Sequence, residues 1–496
     1  MRPQFNQGYV LVRSQVRSNP KQTNMFSKLL IGLTALVALS GVSPAFATNG
    51  MNLEGYGAKS HALGGASMAF DTGNSAVMNN PATLGMMKEG KEEIGIGIRG
   101  LHPDVSLSYG PMTENSEGTG YYMPSLSYMR KDGNIAWGVA MLAQGGMGTE
   151  YGDDSPLFMF GRSYGNSLVP LSGKEIRSEV GVGRVMFPLA WNITDNTTIG
   201  LSLDFIWASM DLQMDMDGKH FKGMTQGVGG SVSGTMYNTL GSMMQSGGVT
   251  DINYMRYDFT NGSPFIGEAA GFGTGFKIGM VHRFSKMLTV GGSYHSRTWI
   301  SDLETSGASL SFSGVDAMNN TFTQSVSGTI KVRDFEWPAV FAAGFALYPG
   351  DRWMIVGDIK QIDWSSSMSK FSTTFTADSS PSNGPFIGKR LDVDMQQEWK
   401  DQTVFSIGAQ YKATERLSLR AGASFATNPV PDDYLNPLFP AITTNHYTAG
   451  FGYRLSDKSS FATAVAWAPE VSATNADGMV IRHGQMNWSL NFTHEL

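Results

Sequence analysis

From Thr198 to Ser209 the chain alternates with period two: Ile199, Leu201, Leu203, Phe205 and Trp207 are large and apolar, whereas Gly200, Ser202 and Asp204 are small or polar. A period of two puts successive side chains on opposite faces of a β-strand. The same split recurs from Leu417 to Phe425, from Tyr447 to Leu455 and from Met486 to Phe492, and it dominates the chain beyond Glu89. A chain so patterned must fold as a sheet with one greasy and one polar face. Soluble sandwiches alternate too, with the apolar face inward. Three features favour a membrane barrel instead. Aromatics sit near strand ends (Trp207, Tyr411, Phe425, Tyr447, Trp467, Trp488), the opposite face is small or charged, and short turns such as Arg130 to Asn134 alternate with long loops.

Fourteen segments carry the pattern, at about 92–109, 120–131, 134–145, 177–193, 196–210, 271–285, 287–300, 329–348, 352–365, 391–413, 415–427, 444–456, 458–469 and 484–493. An even number suits antiparallel closure, and closure leaves no unpaired backbone edge in lipid. The expected fold is all-β: a 14-stranded antiparallel transmembrane β-barrel over residues 90–496, with long external loops at about 211–270 and 301–328. Composition agrees. There are 60 glycines in 496 residues and only 16% charged residues, against a usual ~25%.

The first 47 residues read as a secretory signal. Lys28 to Ala47 has a basic flank, a short apolar run and the small-x-small ending Ala45-Phe46-Ala47, with cleavage before Thr48 and Met25 as an alternative start. After Ala47 no run of about 18 apolar residues occurs, so no spanning helix is expected. Residues 48–89 form a separate Gly, Ala, Ser, Asn and Met-rich stretch.

Chemistry is sparse. Net charge is −6 with no Lys/Arg run, which excludes a nucleic-acid partner, and the absence of cysteine excludes disulfides and thiolate sites. "GIGIRG" (Gly95 to Gly100) is followed by His102-Pro103-Asp104 rather than a helix, so it is not a dinucleotide site. "DMDGK" (Asp215 to Lys219) would place Gln213 and Met224 at the best-defined ligand positions of a calcium loop, so it reads as solvated loop. No nucleophile elbow, zinc motif or P-loop occurs, and no enzyme activity, cofactor or metal is expected. In the loop at 211–270, Met236, Leu240, Met243 and Met244 have helical spacing: one apolar stripe, either packing the loop down or offering a capture surface for greasy ligands. Asp358, Arg416, Arg420 and Arg454 are candidate lumen charges that pair across the interior or meet a ligand carboxylate.

"GYGAKSHALGGASMAFDTGNSAVMNNPATLG" (Gly55 to Gly85), ending in Asn80-Pro81-Ala82, resembles the N-terminal plug of FadL-type outer-membrane transporters of long-chain fatty acids and other hydrophobic compounds. "QGGMGTEYG" (Gln144 to Gly152) looks like the end of that family's third strand. Phe335 to Ser366, with Asp358 and Trp364, is similar to its long Pro-containing strand and the strand that follows. "RAGASFATNPVPDDY" (Arg420 to Tyr434) resembles a strand and Pro-Val-Pro loop near its C-terminus. The ending "WSLNFTHEL" departs from the family's usual terminal aromatic.

The resemblance implies a plug at 48–89 inside the lumen, with Asn80, Pro81 and Ala82 in plug structure or gating. It also implies a wall gap at the kinked third strand, to which Gly145, Gly146 and Gly148 are suited. A hydrophobic small molecule would be captured outside, bound in the lumen and released sideways into outer-membrane lipid by a monomeric, passive importer of the bacterial outer membrane. An aromatic or alkane hydrocarbon transporter of the same type is the alternative, and a general diffusion porin the weaker one.

Overall fold

The computed structural model describes residues 49–263 and 266–496; the expected signal segment, 1–47, lies outside the described residues. Strand β1 (Glu92–Tyr109) turns through the short β2 (Met112–Asn115) into β3 (Tyr121–Asp132) and β4 (Ile135–Tyr151). A two-stranded flap, β5 (Phe160–Arg162) and β6 (Leu168–Pro170), precedes β7 (Ile176–Asn192) and β8 (Thr197–Asp217). Next come β9 (Gly230–Ser233), β10 (Asp251–Phe259), β11 (Ala269–Arg283), β12 (Leu288–His295), β13 (Trp299–Ile300), β14 (Leu303–Val315) and β15 (Thr321–Arg333). The remainder is β16 (Val340–Leu347), β17 (Trp353–Ile362), β18 (Lys370–Ala377), β19 (Arg390–Gln396), β20 (Gln402–Lys412), β21 (Leu417–Ala426), β22 (Asn445–Arg454), β23 (Ser459–Thr474) and β24 (Val480–Glu495).

A closed antiparallel wall runs β1, β3, β4, β7, β8, β11, β12, β16, β17, β20, β21, β22, β23, β24. Strand β24 then pairs back onto β1, from Glu93 opposite Glu495 to Ser108 opposite Val480. Closure satisfies backbone groups that lipid cannot. Outward side chains are greasy and exposed, among them Ile96, Leu126, Trp137, Phe187, Leu203, Phe405 and Trp467. So large an apolar surface is untenable in water and natural in lipid.

The expectation of a bare 14-stranded barrel with two long loops needs correction. One continuous sheet holds 22 strands, because the wall carries a tall extension beyond its outer end. Strand β8 pairs with β10, β10 with β14, β14 with β15, β15 with β18, β18 with β19 and β19 with β9. The stretch expected as a loop at 301–328 is mostly the β14–β15 hairpin. Two stretches expected as single strands, 329–348 and 391–413, each divide between extension and wall. Left-handed Asp334 (φ 56°) ends β15 before Pro338, and left-handed Glu398 (φ 50°) separates β19 from β20.

The N-terminal region packs inside the wall. It holds α1 (Gly57–His61) and two 3₁₀ turns, Gly73–Val77 and Pro81–Met86. Ala76, Val77, Met78, Leu84 and Met87 pack on Met129, Ala136, Ala140 and Met186 of the wall; Leu63, Ala66, Ala69 and Phe70 pack on Ala346, Met354 and Val356. Small side chains let this backbone lie against the barrel interior. Wall glycines complete the fit: Gly200 faces Pro81 and Ala82, and Gly279 faces the Asn80 side chain, each too close for any Cβ.

Candidate functional site

The ladder between β3 and β4 runs from Asp132 opposite Ile135 to Leu126 opposite Met141, and there it stops. Farther out β3 stays paired with β1 as far as Tyr121, and β4 with β7 as far as Tyr151, so the two strands part. A bulge lies at the parting point. Ala143 opposes Gly183 and Gly145 opposes Val182, leaving Gln144 as the extra residue. The N-terminal segment fills the inner side of this kink. Gly146 N–H donates to the Met51 carbonyl at 3.1 Å, and Asn52 bridges to Gly145, where a Cβ would overlap the Met51 carbonyl. Trp337 packs beside Gly145 and holds the segment there, its Nε1–H donating to Asn52 Oδ1 at 2.6 Å.

A cavity of about 290 Å³ occupies the parted region. Its lining combines exposed, outward-facing Tyr122, Pro124 and Met141 with buried, inward-facing Leu142, His483 and Gln485. A space lined from both faces of a one-sheet wall passes through that wall. The lining contains no Lys or Arg; its one acid, Glu179, is paired with Arg177 at 2.9 Å. Towards the outer extension a smaller apolar pocket, about 20 Å³, is bounded by Met51, Met210, Met214, Phe335, Met368 and Phe439 among others, none of them charged. Val180 lines both spaces, and Met51, which lines the smaller one, accepts the hydrogen bond of Gly146 at the larger.

Away from the kink the N-terminal segment is tied by buried charge. Glu54 Oε1 lies 2.5 Å from Arg99 Nη2 of β1 and 2.8 Å from His61 Nε2, and Asn487 of β24 donates to the same carboxylate at 3.2 Å. Burial opposes ionisation of Glu54, but the Arg99 guanidinium and His61 outweigh it and hold the carboxyl well below its ordinary range. Burial, assisted by Arg99, pushes His61 down to about 4, so the ring is neutral at pH 7.

Asp358 of β17 accepts from the Ser67 and Met68 N–H groups at 2.6 and 3.2 Å, and Lys360 donates to the Gly65 carbonyl at 2.7 Å. Asn80 caps its 3₁₀ turn, accepting from Ala82 N–H at 3.1 Å, and donates to the carbonyls of Met68 and Met280 at 2.8 and 3.2 Å. Pro81 is the first residue of that turn, where a missing N–H costs nothing. A further buried cluster, Arg184 to Asp204 at 2.6 Å with Lys277 on the same carboxylate, also holds Gln144 of the bulge, Arg184 donating to it at 2.6 Å.

The structure brings Gly145, Gly146 and Gly148 to the cavity, and sets Asn80, Pro81, Ala82 and Asp358 at contacts between the N-terminal segment and the wall. Other expectations need correction. Met236 and Leu240 on α3 (Thr235–Gln245), the helix that follows α2 (Gly218–Thr225), are buried, and Met243 and Met244 pack against the same apolar cluster. Of the two expected roles, packing is the one these contacts fit: Met236 and Leu240 fasten the loop down, and Met243 and Met244 remain partly exposed. Arg416 and Arg454 are exposed in the short turns at strand ends, where Arg454 donates to the Glu415 carbonyl, so neither is a lumen charge. Arg420 does face inward, bonded to Gln410 at 2.7 Å. Sequence reasoning missed Glu54, His61 and Arg99; the available signal was that Glu54 is the only acid between Asn49 and Phe70.

Comparison with known proteins agrees with this architecture. A curated protein of Chlorobium limicola, described as an uncharacterized protein in the phosphoenolpyruvate carboxykinase gene 5' region, is 57% identical over 122 residues. That match covers 24% of this chain and 59% of the length of the relative. The crystal structure of the P. putida toluene transporter TodX superposes with a TM-score of 0.75 at 25% identity, covering 90% of this chain and 99% of that one. The Ralstonia pickettii toluene transporter TbuX gives 0.70 at 25% identity, with the same coverage. A Pseudomonas aeruginosa FadL homologue, at 15% identity and a TM-score of 0.62, shares the fold. The model of the outer membrane protein transport family (OMPP1/FadL/TodX) matches residues 34–493. With that match and a closed barrel girdled by exposed apolar side chains, the chain belongs to this family of bacterial outer-membrane transporters, which is not a family of enzymes.

Proposed function

We propose that this protein imports small, uncharged hydrophobic compounds across the outer membrane, passively and as a monomer. The N-terminal segment acts as a plug, and the parting of β3 and β4 is the exit into lipid. The observation that carries this reading is the cavity that crosses the wall beside Gly145 to Gly148, glycines that Met51 and Asn52 hold through their backbone. In this scheme the ligand arrives among Met51, Met210, Met214 and Phe439, flexible apolar side chains that part to admit it. Withdrawal of Met51 and Asn52, held by one bridge and one backbone hydrogen bond at the kink and by the Trp337 indole, opens the way to the cavity. Sideways exit is favoured because each CH₂ kept out of water is worth about 0.8 kcal/mol.

A monoaromatic or alkane hydrocarbon suits the site better than a fatty-acid anion, since neither apolar space offers a Lys or Arg to a carboxylate. The likeness to toluene transporters supports the same choice. The packed lumen weighs against a general diffusion porin. The test is to fill the exit. A Cβ at Gly146 would overlap the Val180 carbonyl and disturb the wall, whereas one at Gly181, which also lines the cavity, meets nothing within 4 Å. Gly181→Trp should cut toluene uptake into cells or vesicles roughly tenfold while the barrel keeps its heat resistance. Unchanged uptake would rule out exit at this strand.

A further inference from the structure

Two polar side chains in the wall cavity have no part in the path described above. His483 of β24 is buried, and its Nδ1 lies 2.6 Å from the Pro440 carbonyl. A carbonyl oxygen only accepts, so Nδ1 carries the hydrogen and Nε2 of the neutral ring is a bare acceptor. That Nε2 is buried and has no hydrogen-bond partner among the described residues, although the ring lines the cavity. Gln485 lies two residues on, on the same inward face of the strand. It is buried too, lines the same cavity and makes no side-chain hydrogen bond to the described residues. An acceptor and an amide left without partners inside an apolar space are costly, and a hydrocarbon satisfies neither.

We propose that this cavity recognises a neutral ligand bearing one hydroxyl on an apolar ring, a small phenol. Its O–H donates to His483 Nε2, and the Gln485 amide donates to the same oxygen. Tyr121, Tyr122 and Trp207 supply the flat apolar walls that a ring needs. Glu179, at the rim, disfavours a carboxylate in the same place. The proposal rests on the reading of the gap as a ligand path and names the chemistry admitted there.

The probes are p-cresol and toluene, which differ by one hydroxyl, with binding to purified protein in detergent followed by calorimetry. His483→Asn keeps a donor near Nδ1 for the Pro440 carbonyl and deletes Nε2. It should weaken p-cresol about tenfold, the effect of one net hydrogen bond, while toluene affinity stays within twofold. Gln485→Leu should weaken p-cresol several-fold with toluene again unchanged, and it decides the matter if the histidine variant fails to fold. Equal losses for both probes, or no loss for p-cresol, would overturn the proposal. So would displacement of p-cresol by benzoate at similar concentration, which would make the site one for carboxylates. The path itself is tested separately: if Gly181→Trp leaves toluene uptake intact while p-cresol binding still depends on His483, the exit reading fails and the binding site stands.

Discussion

The N-terminal segment meets the wall in two ways. Against β1, β17 and β24 it is held by buried ions and amides: Glu54 with Arg99, His61 and Asn487, and Asp358 with two backbone N–H groups. Against β4 it is held by neutral contacts: one backbone hydrogen bond, one isolated bridge, the Tyr56 hydroxyl on the Gln144 carbonyl at 2.7 Å and apolar packing on Ala136 and Ala140, beside a space lined by Gly, Met and Tyr. Breaking a buried ion pair leaves an uncompensated charge, whereas breaking one neutral hydrogen bond costs about 1 kcal/mol. One side is an anchor and the other a latch. Under the proposed plug role, the contrast would let the segment shift at one edge without leaving the barrel.

The harshest way to break this comparison is to delete residues 48–87. Anchor and latch go together, and the expected product is a heat-resistant barrel whose single-channel conductance rises from near closed to that of an open pore. An unfolded product would make the segment part of the wall's own stability. A sharper cut is Glu54→Gln, which strands the buried Arg99 and should weaken the anchor by about 3 kcal/mol. Hydrogen exchange of residues 54–65 should quicken more than a hundredfold while the wall strands are unaffected; equal protection in both proteins would show that the ion pair anchors nothing.

Acid should act in the same direction. His61 is held near 4 and Glu54 below its ordinary value, so the anchored state binds fewer protons than the released one. The anchor is then complete above about pH 6.5 and is lost progressively as pH falls towards 4. Exchange in the same residues at pH 7 and 4.5 checks the sign.

The smallest effect lies far from both edges. His220, in α2, bonds Asp217 at 2.7 Å and Asp477 at 3.2 Å, joining the long external loop to the β23–β24 turn. Those two carboxylates raise its pKa to about 10. The tie is fully made below about pH 6.5 and lost as pH rises through 10, and its half-exposed position keeps its worth under about 1 kcal/mol. An NMR titration of the ring with a midpoint near 6.5 would dissolve the tie.

The wall strands were legible because each must satisfy two solvents, and Ile199 to Trp207 advertise that every second residue. The extension was not. Thr321–Arg333 and Arg390–Gln396 alternate just as the wall does, because period two records that a strand has two faces and says nothing of what lies against them. Gly145 to Gly148 drew attention through the resemblance to the family's kinked third strand, since glycines alone equally suit an ordinary strand end. The cavity beside them was not legible, since its other lining comes from Tyr122, Val180 and His483, far apart in sequence.

Local chemistry settles what repeats locally. Alternation determines strands with a lipid face, and the small residues of 49–87 determine a segment able to lie against other backbone. Long-range pairing decided the rest. It determined which strands close the ring and where β3 and β4 part. It placed Glu54 against Arg99, so that an acid in a glycine-rich stretch became an anchor, and it put His483, whose Nε2 has no partner among the described residues, in the lining of an apolar cavity. A single residue's pattern carries its preference for lipid or water, while its partner is chosen by register, which depends on the whole ring.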